Sequence, residues 1–215
     1  MKLDISKIVQ KRLTPEQYHQ DKHPKRQIYL HHTAGGSSAI SVANFFQSQK
    51  GKVATAFVIG GNGSIVQLFS SKDWAYHLGL QQDVFDAQKV PYKQLDKISI
   101  GIEICNYGML KKQNGYYLNY VGGKVDYKEV ETLKEKYKGY IYWQKYTDEQ
   151  IESTRQLLVY LCETYDIPKT YFESIWDIDA RALKGEKGIF THNSVRTDKA
   201  DIYPCPRMIE MLKNL

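Results

Sequence analysis

Two histidines sit where a chain presents metal ligands. His31 closes a short β-prone run, Gln27-Ile28-Tyr29-Leu30, and His192 closes another, Ile189-Phe190-Thr191. The ends of strands are rigid, and a metal ion needs its donors held still. Imidazole suits zinc, and a catalytic zinc takes three protein ligands and keeps a fourth position open. A third donor follows His192 at one of two places: Asp201, nine residues on, or Cys205, thirteen on. Thiolate is the softer and tighter zinc ligand, but spacing alone leaves both open. A strand-end histidine also serves as an ordinary hydrogen-bonded core or surface residue. The pattern names a chemistry without establishing it.

The elements that must position these groups are legible from period and punctuation. Gly35-Gly36-Ser37-Ser38 breaks the first strand, and Ser38 is placed to cap a helix over roughly 40–49. Two apolar runs, 53–59 and 64–69, flank Gly60-Gly61-Asn62-Gly63, a hairpin signal with Asn-Gly at its tip. Ile98-Ser99-Ile100-Gly101-Ile102-Glu103-Ile104 alternates at period two and reads as a strand. The stretch 106–146 is rich in Tyr, Lys and Gly, with a second hairpin expected around Val121-Gly122-Gly123-Lys124. Thr147-Asp148-Glu149-Gln150 is a capping box, and Ile151, Leu157, Leu158, Leu161 and Tyr165 behind it keep helical spacing, so a helix is expected over 148–165. Pro206 opens a terminal helix with Ile209 and Leu212 expected on its inner face. Together these elements predict one α/β domain with a central sheet over 26–215, after a mostly polar lead-in segment, 1–25.

Composition narrows the function classes. The 215 residues are 42% hydrophobic and 25% charged, as in a folded soluble chain, with a formal net charge of +6. That balance favours anionic partners. The absence of a compact basic run argues against nucleic acid as the partner. Three cysteines (Cys105, Cys162, Cys205) cannot all pair within one chain, and none falls in a C-x-x-C spacing, so neither a disulfide scaffold nor a zinc ribbon is expected. The N-terminus lacks the apolar region of a signal peptide, and no run reaches the length of a membrane span. Synthesis in the cytoplasm and no membrane insertion are therefore expected.

Six segments, in order, carry a resemblance. IYLHHTAGG is similar to the first-ligand motif of the type-2 N-acetylmuramoyl-L-alanine amidases, the family that includes phage lysozyme-like amidases and peptidoglycan recognition proteins. VATAFVIGGNGSIVQLF resembles the family's hairpin, DWAYHLG its W-H-x-G segment, SIGIEI its S-I-G-I-E strand, and YTDEQ the start of its long helix. HNSVRTDKAD resembles the stretch that carries the remaining ligands. With the prolines that follow the last, the six span residues 28–206, nearly the whole chain.

The resemblance implies a mixed β-sheet flanked by helices, with a zinc site at the strand ends in a surface groove. His31 and His192 match the first and second zinc ligands, and His32 a structural neighbour. Glu103 falls on the catalytic acid and Lys199 on the lysine beside the third ligand. His77 matches a groove histidine that contacts substrate. At the third ligand the chain departs from the family's K-x-D-P-G-P or K-x-C-P, reading Lys199-Ala200-Asp201-Ile202-Tyr203-Pro204-Cys205-Pro206. Keeping the lysine register selects Asp201, and keeping the proline register selects Cys205. Asp201 preserves more matched residues and is the expected ligand. The implied activity is zinc (Zn2+)-dependent cleavage of the bond between N-acetylmuramic acid and L-alanine in peptidoglycan. A monomeric endolysin-type enzyme that reaches the wall through a holin or lysis would fit. A non-catalytic peptidoglycan-binding module on the same fold is the alternative.

Overall fold

The run QIYLHH is buried at all six positions, so it must be covered on both faces, as strands of parallel sheets are. The computed structural model describes residues 2–215. In chain order the first strands are Val9–Gln10 (β1), Gln27–His32 (β2), Phe57–Ile59 (β3), Ile65–Gln67 (β4) and Ser99–Ile104 (β5). Then come Met109–Gln113 (β6), Tyr116–Leu118 (β7), Lys124–Val125 (β8), Val130–Tyr137 (β9), Tyr140–Gln144 (β10) and Gly188–Thr191 (β11). The helices are Ala39–Ser48 (α1), Gln82–Ala87 (α2), Asp148–Tyr165 (α3), Ala180–Lys184 (α4) and Pro206–Lys213 (α5).

The main sheet has the order β1-β4-β3-β5-β2-β11. β2 lies between β5 and β11, parallel to both, and β3 is parallel to β5. β4 turns back antiparallel to β3 through the Gly60–Gly63 turn. The sheet is therefore mixed, as expected. The strand predicted from Val53 shrinks to Phe57–Ile59, and Val53 keeps only an isolated bridge to Tyr76. The lead-in segment is not separate from the sheet: β1 runs along β4, and Ile8 and Leu13 enter the core.

The helices follow their local signals. Ser38 accepts a hydrogen bond from the Ser41 amide and starts α1. Thr147 Oγ1 accepts from the Gln150 amide while Gln150 Oε1 accepts from the Thr147 amide, closing the capping box of α3. Its buried residues, Gln150, Thr154, Leu157, Leu158, Leu161 and Cys162, repeat at three and four and pack onto the sheet. In α5 the expected inner face rotates. Met208, Met211 and Leu212 are buried and Ile209 is only partly covered, because the stripe through Leu212 runs back four residues to Met208.

Beside the expected central sheet, residues 109–144, where a hairpin was expected, form a second, antiparallel sheet of order β8-β7-β6-β10-β9. It is inserted between β5 and α3. Trp143 ties it to the main core, fully buried and stacked 4.7 Å from Tyr203. Its far end closes over a small cluster of its own, Leu110, Val125 and Val130 beneath Tyr107, Tyr117 and Tyr142.

Candidate active site

Parallel β2, β5 and β11 end at one edge of the sheet, where α/β proteins place their ligands. In register, His31 stands beside Glu103, and His192 is the first residue after β11. Neighbouring residues of a strand point to opposite faces, so His31 and His32 part company. His32 turns inward, where Nδ1 lies 3.0 Å from the Tyr146 hydroxyl. Its Nε2 packs against Gly108, where a Cβ would stand 2.5 Å away, so only glycine fits.

On the other face three side chains converge. His31 Nδ1 lies 3.1 Å from His192 Nδ1, and Asp201 Oδ2 lies 3.2 Å from the first and 2.9 Å from the second. Donors about 2.0–2.1 Å from one tetrahedral ion sit about 3.3 Å from each other, so the spacing fits a zinc-sized cation. The outward bonds support that fit. His192 Nε2 lies 2.9 Å from the Leu78 carbonyl, which can only accept, so Nε2 carries the ring proton. Ser99 Oγ donates to the Asp96 carbonyl and so accepts from His77 Nε2, 2.8 Å away. His77 Nδ1 then accepts from His31 Nε2, at 3.0 Å. Both Nδ1 lone pairs therefore face a carboxylate oxygen with no proton of their own between them. Outward hydrogen bonds of this kind are how metal-binding histidines are oriented.

Electrostatics agree with that assignment. Burial, then the neighbouring His192, pushes the His31 pKa down to about 4, so the ring is neutral near pH 7. Burial would raise Asp201, but the adjoining His192 and His31 rings outweigh it and keep the carboxyl ionised, far below its usual range. Glu103 differs. Burial first, then the negative charge of Asp201, lifts it to about 8, while Lys199 pulls it back. Its Oε2 is buried and has no hydrogen-bond partner. A buried carboxyl with free acceptor capacity beside an anionic donor set is the environment that tunes an acid–base group.

Of the residues singled out in the sequence, the fold brings together His31, His192 and Asp201, with Glu103 in the adjoining strand and Lys199 within electrostatic reach of it. Cys205 lies elsewhere, fully buried next to Tyr146 and Tyr203. His77, expected to contact substrate, is held within the site. Both ring nitrogens are taken up by His31 and Ser99, and its side chain is 5% exposed. Gly101 makes room for that ring, since a Cβ there would approach His77 Nδ1 to 3.0 Å. The sequence reading also missed Asp96, whose buried carboxylate accepts from the His77 and Leu78 amides and fixes the segment behind both histidines. Nothing in local spacing marks it.

A groove of about 570 Å³ ends on Glu103. Its walls include the Thr33–Ser38 loop, α1, Tyr107 and Tyr120. A larger cavity of about 610 Å³ shares Ser37 and Ser38 with it but is lined by neither Glu103 nor the three converging side chains.

The fold recurs among solved structures. PlyL is 14% identical, with 96% of each chain covered and a TM-score of 0.55. A mutant endolysin from Bacillus subtilis is 15% identical, covering 100% of this chain and 98% of its own at 0.55. An AmpD derivative is 14% identical, covering 99% of both at 0.52. No curated protein sequence matches the chain. The family model described as N-acetylmuramoyl-L-alanine amidase matches residues 21–206. With that match spanning the sheet, the converging side chains and the groove, the chain belongs to the N-acetylmuramoyl-L-alanine amidase family.

Proposed function

We propose that the protein hydrolyses the amide between N-acetylmuramic acid and L-alanine in bacterial peptidoglycan, using a zinc ion held by His31, His192 and Asp201. The observation that carries this reading is the meeting of two proton-free Nδ1 atoms and one carboxylate oxygen beside a buried, unpartnered Glu103 oxygen. Zinc bound there would supply Lewis acidity, polarising the scissile carbonyl and lowering the pKa of water towards about 7.

The chain's own residues supply the rest. Glu103 takes a proton from the attacking water and passes it to the amine of the departing alanine. A carboxyl lifted to about 8 sits close enough to neutrality to serve both steps. Lys199 provides a positive charge for the oxyanion that develops on the carbonyl. His77 holds the His31 ring and its tautomer. Endolysin-type action on intact walls is part of the proposal. It is supported by the +6 charge, which favours approach to an anionic wall, and by the likeness of the fold to endolysins.

Digestion of purified peptidoglycan followed by mass spectrometry tests the reading. Free N-terminal alanine with intact glycan strands is expected, and Glu103→Gln should lower its release by about 10²-fold or more while zinc content is unchanged. New reducing sugar ends without alanine amines would sink the assignment.

A further inference from the structure

The groove that ends on Glu103 has walls from two different sources. Helix α1 supplies Phe45, which is 58% exposed, together with Val42 and Ser41. The inserted sheet supplies Tyr120, 68% exposed, from the turn between β7 and β8. That turn is held in place. Asn119 Oδ1 accepts from the Val121 and Gly123 amides, and the Asn119 amide donates to the Gly123 carbonyl. The turn thus presents an exposed aromatic ring at a groove that leads to the buried carboxyl.

We propose that Tyr120 and Phe45 form a binding site for the sugar of the glycan strand, an N-acetylated pyranose, with Tyr120 as a specificity-determining residue supplied by the inserted sheet. The proposal rests on the amidase reading above, which places the scissile amide at Glu103. The reacting bond joins a sugar to a peptide, so a groove beside it receives one or the other. Charge decides between them. Among the described residues that line the groove, Glu103 is the only acidic or basic side chain. The stem peptide carries carboxylates and amines and would find no opposite charge along these walls. A pyranose carries none. Its apolar C–H faces suit aromatic rings, and its hydroxyl and acetamido groups suit Ser37, Ser38 and Ser41. Charged groups lie instead in the neighbouring cavity, which Glu129 and Lys145 line.

Titration with an uncharged GlcNAc tetrasaccharide, followed by calorimetry, tests the site without requiring turnover. Wild-type protein should bind it. Tyr120→Ala and Phe45→Ala should each weaken binding by about tenfold, the loss expected for one aromatic contact. Tyr120→Phe should retain most of the affinity, and Tyr127→Ala, an exposed tyrosine outside the groove, should retain all of it. Both rings of the groove pair are largely exposed, so circular dichroism should confirm folded variants. Tetrasaccharide affinity unchanged in both alanine variants would overturn the proposal. So would a free stem peptide whose binding falls in those variants while the sugar's does not. A protein that binds the tetrasaccharide through Tyr120 yet releases no alanine from walls would refute the amidase reading and leave this site standing.

Discussion

Asp201 and Cys205 lie four residues apart, and the linear chain offers no means of choosing between them. The lysine register favours one and the proline register the other. Only the fold separates them, bringing Asp201 Oδ2 to 2.9 Å from His192 Nδ1 and burying Cys205 at the start of α5. Asp201→Ala should therefore abolish tight zinc binding, measured as metal retained after dialysis, because two neutral imidazoles make a poor site. Cys205→Ser should keep the metal and lower only thermal stability. Retention of zinc in Asp201→Ala with loss in Cys205→Ser would reverse the assignment. His31 and His192 were legible from strand ends. The role of His77 was not, because a histidine that contacts substrate and one that orients another histidine look alike in sequence. Which it is depends on Ser99 and Asp96, 22 and 19 residues away.

At the scale of elements, legibility followed how local each cause was. The capping box of α3 is a four-residue signal and set the start of that helix correctly. Thr147→Ala should lower stability to urea by about 1 kcal/mol, and more if the second bond from Thr147 Oγ1, to the Gly61 carbonyl at 2.8 Å, also counts. An unchanged urea midpoint would mean that packing of Leu157, Leu158 and Leu161 alone sets the helix. The second sheet was hidden for the opposite reason. Its strands β7 and β8 have only 3 and 2 residues, and a register shift between Tyr140 and Tyr142 breaks the period-two pattern. Most of its side chains are partly exposed, so the contrast between faces is weak. A hairpin could be read there, but a five-stranded sheet could not.

For the molecule as a whole, the buried histidines set a response to acid. Burial pushes His31 and His32 to about 4 and His77 well below its ordinary value. In the unfolded chain each titrates near 6.5, so between about pH 4 and 6.5 the unfolded state binds more protons and stability rises with pH. Glu103 and Asp96, whose pKa values are raised by burial, act in the opposite sense. The three histidines outnumber these two carboxyls. Lys25 is lowered only to about 8 and stays charged throughout this range. Urea unfolding of chelator-treated protein should therefore gain on the order of 1 kcal/mol per pH unit in the lower half of this interval. Stability that is flat or falling from about pH 4.5 to 5.5 would mean that the rings are protonated in the fold.

The inserted sheet is held unequally at its two ends, and this governs how the protein can vary over evolutionary time. At the β9–β10 end, Trp143 stacks on Tyr203, two residues from Asp201, and Tyr137 donates to the Trp176 carbonyl at 2.6 Å. Substitutions there disturb the loop that carries Asp201. The β7–β8 end rests on a small cluster, Leu110, Val125 and Val130, separate from the main core. Mutations accumulate where coupling is weak, and Tyr120 belongs to that end. If Tyr120 contacts glycan as proposed, glycan preference can change by drift at this one turn while His31, His192, Asp201 and Glu103 stay fixed.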